Sequence, residues 1–453
     1  MTKVILKIIL LLFVFTATFA DELNIHYKKG LELLKSQKYT EAIKNFDLAI
    51  KDKPDFAVAY HKKGNALSKL NKNIESIECY DLAIKFKHDY VEAYYNKGNI
   101  LDELGKYQEA IECYDLAIKF KHDYAFAYHN KGYILNKLGK YQEAIECYDL
   151  AIKYKPDYVS AYHNKGNILY YSGKYKESIE CYDMAIKYDP NDAHGYYAKA
   201  NALDCINRPE QAIEFFDLAI KYKPDYDLAY NNKGITLLDL KEYSKAIECF
   251  DLAIKHNPKL AMAYNNKTLA LYSAKHYKEA LENQNIAIEL FPENPTSYYR
   301  KAIALAGLKR YEEAVECYDM AIKYDPDRFH YYYNKAYELD ELGEYEEAIK
   351  NYDIALKLKS NDYKIYHNKG VSLCKLGKYK EAIKNFDYVI ALRYDFAIAY
   401  LNKGKAMYKL GMSSSKILEN NQKIFQYRSS YIESYFDNED TPLVEYKKAP
   451  KIF

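Results

Sequence analysis

The chain contains no tryptophan and almost no net charge, with Lys+Arg 66 against Asp+Glu 64 over 453 residues. That balance leaves no basic field to steer it toward nucleic acid. Beyond the first two dozen residues no stretch is long and apolar enough to cross a bilayer, which takes roughly 20 residues. There is no Cys-x-x-Cys and no Cys/His spacing of the zinc type. A phosphate-cradling glycine loop, a His-Glu-x-x-His pair and a nucleophile elbow are all missing. The chain therefore reads as non-catalytic, with no cofactor, no metal site and no nucleic-acid partner.

What it has instead is repetition. Residues 125–158 read AFAYHNKGYILNKLGKYQEAIECYDLAIKYKPDY, and the preceding 34 residues contain the same GKYQEAIECYDLAIK. Steps of 34 carry this skeleton without insertion from Leu23 to Phe396, eleven copies, and a twelfth begins at Ala397. The copies start at 23, 57, 91, 125, 159, 193, 227, 261, 295, 329, 363 and 397. Such a period decides the architecture before any other signal. Each unit reads as two helices. Ala127, Tyr128, Gly132, Leu135 and Leu138 form one apolar stripe, and Ala144, Ile145, Tyr148, Ala151 and Ile152 a second. Gly139 is suited to a left-handed helix stop, and Pro156 blocks continuation of the second helix. Gly132, Ala144 and Ala151 are small where helices must approach.

The period and the pattern Tyr128, Gly132, Leu135, Ala144, Tyr148, Ala151, Pro156 resemble the tetratricopeptide repeat, over about four fifths of the chain. Departures are Ala200, Thr268, Ala302 and Ala336 for the first-helix Gly, and His88, His122, Ser360 and Tyr394 for the closing Pro. The resemblance implies an all-α, right-handed α-solenoid of about twelve helix pairs in one elongated domain. It also implies protein or peptide partners.

The opening, MTKVILKIILLLFVFTATFADELN, lies outside the repeat. Lys3 and Lys7 flank the apolar run Ile8 to Phe15, and Thr18-Phe19-Ala20 offers a cleavage site. This is a secretory signal pattern over residues 1–20, implying export to the periplasm or the medium, with an uncleaved membrane anchor as the alternative. The solenoid then occupies 21–411. Residues 412–436 form a last helix capping its open end, and 437–453 a mobile tail.

Six of the eight cysteines, Cys79, Cys113, Cys147, Cys181, Cys249 and Cys317, share one second-helix place. Neighbouring copies should stand about 10 Å apart, beyond the roughly 7 Å reach of a disulfide, so they read as free small hydrophobes. The 53 Tyr are largely skeleton positions. A Lys column (Lys63, Lys97, Lys131, Lys165 and onward) and an Asp column (Asp47, Asp81, Asp115, Asp149 and onward, with Asn285 the exception) match in register. They read as Lys–Asp pairs between packed helices rather than as a polyanion track.

The sixth place of the first helix is Asn in eight repeats: Asn96, Asn130, Asn164, Asn232, Asn266, Asn334, Asn368 and Asn402. The resemblance implies that this place faces the concave groove. An amide carries two donors and an acceptor, so the row could bond the backbone of an extended peptide. It looks like the asparagine ladder in the repeat region of the O-linked N-acetylglucosamine transferase, whose transferase domain is missing here. Beside it stand Tyr95, His129, His163, Tyr197, Tyr299, Tyr333 and His367. His61, His194 and His330 lie near the same face; with no shared carboxylate spacing, these histidines read as recognition side chains rather than metal ligands. Chaperone-binding relatives place Lys one position before the Asn column. Here that place is never Lys, so a clamp for acidic C-terminal tails is not expected. Because Ala is the better helix former, replacing ladder residues is expected to leave folding intact. The function this implies is a scaffold binding an extended polypeptide segment. The alternative is a self-assembling protein of the cell envelope, with homo-oligomerisation through its ends or groove.

Overall fold

The computed structural model describes residues 25–426. The expected export signal, the end of the expected capping helix and the tail lie outside the described residues. Among those described, every element is a helix: one over 25–35, then a regular series from Tyr39–Asp52 to Ser414–Gln426. The series alternates first helices of 13 residues, such as Ala125–Lys137, with second helices of 14, such as Tyr141–Tyr154. First helices begin at Ala57, Val91, Ala125, Val159 and so on to Ala397, the 34-residue register of the sequence.

The chain divides into two compact units, the first ending at Pro224 and the second beginning at Asp225. Each is a row of six helix pairs. Within a unit, a first helix packs on its own second helix, which packs on the first helix of the following repeat; successive first helices also touch. Each is therefore an α-solenoid.

The helix stops follow from local chemistry. Gly139 sits at φ +74°, its N–H donates to the Asn136 carbonyl (3.0 Å), and the Lys140 N–H donates to the Leu135 carbonyl (2.9 Å). This paired pattern closes the last turn on a left-handed residue. Where Gly is missing, Asn71, Asn207, Lys241, Lys275 and Lys309 adopt the same left-handed backbone. Leu138, expected in the apolar stripe, is the residue before that turn and is exposed; Ile134 takes the core place instead.

Glycine in the first helix is fixed by one aromatic ring. A Cβ on Gly98 would sit 2.7 Å from the Tyr114 ring. Tyr80, Tyr114, Tyr148 and Tyr182 are almost fully buried at this place in the first unit, as are Phe250, Tyr318, Tyr352 and Phe386 in the second. Ala144 and Ala151 are fully buried, in one core cluster with Ala161 and Ile168 of the following repeat. In the repeat from Ala261 the ring is Gln284 and the glycine is Thr268. Amides rebuild that core: Asn283 Nδ2 donates to Thr268 Oγ1 (2.8 Å) and Gln284 Nε2 to Asn265 Oδ1 (2.6 Å).

The two charged columns meet between repeats. Lys97–Asp81, Lys131–Asp115 and Lys165–Asp149 pair at 2.5, 2.5 and 2.6 Å, and Lys335–Asp319 at 2.6 Å in the second unit. Each Lys lies on a first helix and each Asp on the second helix of the preceding repeat. The carboxylates are about half exposed, so each pair contributes about 0.2–1 kcal/mol. None of the eight cysteines is joined in a disulfide. Burial pushes the thiols of Cys79, Cys113, Cys147 and Cys181 up to about 11, so they stay protonated and unreactive.

Candidate functional site

The fifth, sixth and ninth places of the first helices carry a polar network that runs between repeats. Asn96 Nδ2 donates to His61 Nε2 (2.8 Å) and to Asn65 Oδ1 (3.1 Å). Because an amide nitrogen only donates, this fixes His61 as its Nδ1–H tautomer, and that N–H faces the Tyr90 hydroxyl at 2.9 Å. One repeat on, Asn130 Nδ2 donates to the Tyr95 hydroxyl (3.1 Å) and to Asn99 Oδ1 (2.9 Å). His129 Nδ1–H donates to Asn130 Oδ1 (3.0 Å), and its Nε2 accepts from Asn164 (3.1 Å). The relay crosses three repeats. In the second unit Asn266 donates to Asn231 Oδ1, Asn334 to the Tyr299 hydroxyl and Asn368 to the Tyr333 hydroxyl, at 3.0, 2.9 and 3.0 Å.

The structure thus brings the expected ladder residues together with the aromatic and histidine row, and joins them to each other. Each rung ties a sixth-place amide to the fifth-place side chain of the preceding repeat. This changes one expectation: the amides hold repeats together, so their removal costs stability. Most are half-buried, and Asn334 is buried. Asn232 Oδ1 accepts from Asn231. Asn402 and Tyr197 occupy the equivalent places on Ala397–Lys409 and Ala193–Cys205 and are half-buried.

The ninth place was not singled out in the sequence. Asn65, Asn99 and Asn167 there accept from the buried Tyr80, Tyr114 and Tyr182 hydroxyls at 2.9, 2.8 and 2.9 Å. The available signal was Asn and Tyr recurring together 15 residues apart. Where the ninth place is Tyr133, the Tyr148 hydroxyl is buried with no hydrogen-bond partner, the adjacent Asn164 amide being turned to His129. Tyr148→Phe should therefore leave stability unchanged or slightly raised. Tyr114→Phe and Tyr182→Phe should each lose about 0.5–1.5 kcal/mol, read from denaturation midpoints.

The histidines divide by environment. His61 and His367 are buried, and burial lowers their pKa values to about 3 and about 4; Lys62 adds to the effect at His61. His163 Nε2–H donates to Asp192 Oδ2 (2.5 Å), and its Nδ1 faces His194 Nδ1 at 3.3 Å. Burial raises the Asp192 pKa, but the His163 hydrogen bond and charge outweigh it and lower the carboxyl overall. Among the described residues no group of three His, Cys, Asp or Glu is placed to hold a metal ion.

A pH dependence follows from His61. Its folded-state pKa lies below the unfolded value of 6.5, so the unfolded chain binds the extra proton. Its contribution is complete above pH 6.5 and is lost as pH falls from 6.5 toward about 3. Between pH 7 and pH 5 the loss is about 2 kcal/mol, at about 1.4 kcal/mol per pKa unit. His61→Asn places there the residue found at Asn231 and Asn265, and should flatten this dependence in denaturation midpoints compared at the two pH values.

Comparison with known proteins gives three kinds of result. No curated protein matches the chain. Solved structures similar to it include YrrB, described as a TPR protein with an unusual peptide-binding site, at 25% identity over 42% of this chain and 97% of that one, TM-score 0.37. Yeast Tom70 is 17% identical over 93% and 99%, TM-score 0.42. The C-terminal part of a TPR repeat-containing protein from Cytophaga hutchinsonii is 18% identical over 53% and 98%, TM-score 0.46. One model described as TPR repeat matches residues 64–105, 132–170, 337–377 and 372–411. Two described as tetratricopeptide repeat match 91–124, 159–192, 228–260 and 295–328, and 181–214 and 317–350. Together these span more than half of the sequence, in the register that the helices follow: the chain belongs to the tetratricopeptide repeat family, whose members serve as protein-interaction scaffolds.

Proposed function

We propose that the protein is a non-catalytic scaffold that holds an extended polypeptide segment along its first-helix face. One observation carries this reading. The inter-repeat bonds fix the Nδ2 of Asn96, Asn164, Asn266 and Asn368, while the Oδ1 of each accepts no hydrogen bond from the described residues. Oriented acceptors two repeats apart in the first unit and three repeats apart in the second suit the N–H groups of an extended backbone. The rings beside it supply stacking surface without net charge.

The test is selection of displayed linear 12-residue peptides on the full chain, followed by titration of the recovered sequences. Binding should survive the control Lys131→Met/Lys165→Met/Lys233→Met and depend weakly on salt. A polyanion held by the Lys column would reverse both results. A mass that rises with concentration in light scattering, with no peptide selected, would favour self-assembly. The N-terminal pattern supports export: protein from its native cell should begin at Asp21, and an intact Met1 or Thr2 on cytosolic protein would sink that proposal.

A further inference from the structure

Two residues of the second unit break their columns in a way the scaffold alone does not explain. Arg300 takes the sixth place of Pro295–Gly307, where eight repeats have Asn. It is 7% exposed, and its Nε is buried with no hydrogen-bond partner. The rung it should complete would end on Asn265, but Asn265 Oδ1 is taken by Gln284 at 2.6 Å. No carboxylate among the described residues faces Arg300. Its surroundings are Tyr299, with the guanidinium carbon 5.7 Å from the ring, and Tyr331, whose ring lies 5.1 Å from that of Tyr299.

The second residue is Glu338, at the tenth place of Phe329–Glu341. The repeats from Ala57 onward otherwise have Ala, Ile, Thr or Ser there, as at Ala66, Ile100, Thr236 and Ser372, and the Glu32 of the first repeat is exposed. Glu338 is 5% exposed, and its one charged neighbour is a second acid, Glu341. Burial, with a smaller push from Glu341, raises its pKa to about 8, so at neutral pH it is held largely protonated. Glu338 is one helical turn beyond Asn334, which bonds the Tyr299 hydroxyl beside Arg300. Tyr272 feels both Glu338 and Tyr299. The two groups therefore stand about one repeat apart, on the order of 10 Å, too far to pair with each other.

An isolated buried cation and an isolated buried acid are costly, and are kept where something outside the fold completes them. We infer that the second unit recognises an extended segment carrying one acidic and one basic side chain, the carboxylate on Arg300 and the cation on Glu338. At about 3.3 Å per extended residue, the two side chains would lie three or four residues apart. A single guanidinium matches a monoanionic carboxylate in a planar fork, whereas a phosphate dianion would leave charge uncompensated. The tyrosines wall the Arg300 site from water, which strengthens the pair.

This inference rests on the peptide-scaffold reading, and the same selection tests both. Peptides recovered on the full chain should carry an Asp or Glu and a Lys or Arg at that spacing. Changing the acid to Ala should weaken binding tenfold or more on the wild type and not on Arg300→Gln. Changing the base should behave likewise with Glu338→Gln. Peptides with free and amidated C-termini separate a terminal carboxylate from a side-chain one. Both variants should melt at or above the wild-type temperature at neutral pH, since Arg300→Gln removes an uncompensated charge and Glu338→Gln replaces a neutral carboxyl by a neutral amide of the same shape; a cooperative melt also shows that they fold. Peptides that depend on Asn266 and Asn368 of the second unit but lack the charge pair, or bind both Gln variants as tightly as wild type, overturn the inference and leave the scaffold standing. Failure to select any peptide overturns both.

Discussion

Ala151→Trp should convert one cooperative melt into separable transitions, with a loss of about 1–3 kcal/mol or more in the first unit. Ala151 has no exposed surface and shares a cluster with Tyr148, Ala161 and Ile168. An indole there must displace side chains from two repeats, because interiors are packed at crystal-like density. In an array whose stability is a sum of repeat and interface contributions, weakening one interface lets the flanking segments melt at different temperatures. Calorimetry with far-ultraviolet circular dichroism reads the outcome, and a single unchanged transition would contradict the packing assigned to this place.

The double change Asn96→Ala/Asn164→Ala in the first unit should have two effects at once. It removes two oriented acceptors from the first-helix face. At about 0.5–1.5 kcal/mol net per bond, the affinity of peptides held there should fall by about one to two orders of magnitude. It also breaks the inter-repeat bonds to His61, Asn65 and His129. Stability should fall by about 1 kcal/mol for each rung, offset in part by the better helix propensity of Ala. Helix content at 25 °C stays unchanged while the denaturation midpoint drops. Titration of the selected peptides, with parallel denaturation curves, separates the two effects. Unchanged affinity would remove the ladder from the recognition surface, and an unchanged midpoint would deny it the structural role.

The helices and their register were legible because their causes are local and repeat every 34 residues. Gly139 announces a left-handed stop, Pro156 ends a second helix, and Ala144 and Ala151 mark close approach. The aligned Lys and Asp columns announced their pairing because both signs recur in step. Leu138 misled because the apolar period continues into the capping turn, where the chain has already left the helix axis. The ladder residues were legible as a row, but their employment was not. Asn130 bonds Tyr95 and Asn99, residues 35 and 31 positions away, so no pattern within one repeat displays it.

Sequence by itself determined the repeat length, the two-helix unit, the small and aromatic residues of its core and the pairing of its charges. It also supplied the candidate row of amides. Tertiary structure decided which atoms of those amides remain for a partner, which tautomer His61 adopts and why the Tyr148 hydroxyl is orphaned. It also left Arg300 and Glu338 buried without a counter-charge. The physical reason is directional: apolar burial follows residue type and period alone, whereas a hydrogen bond or an ion pair exists only when two particular atoms from different repeats meet in space.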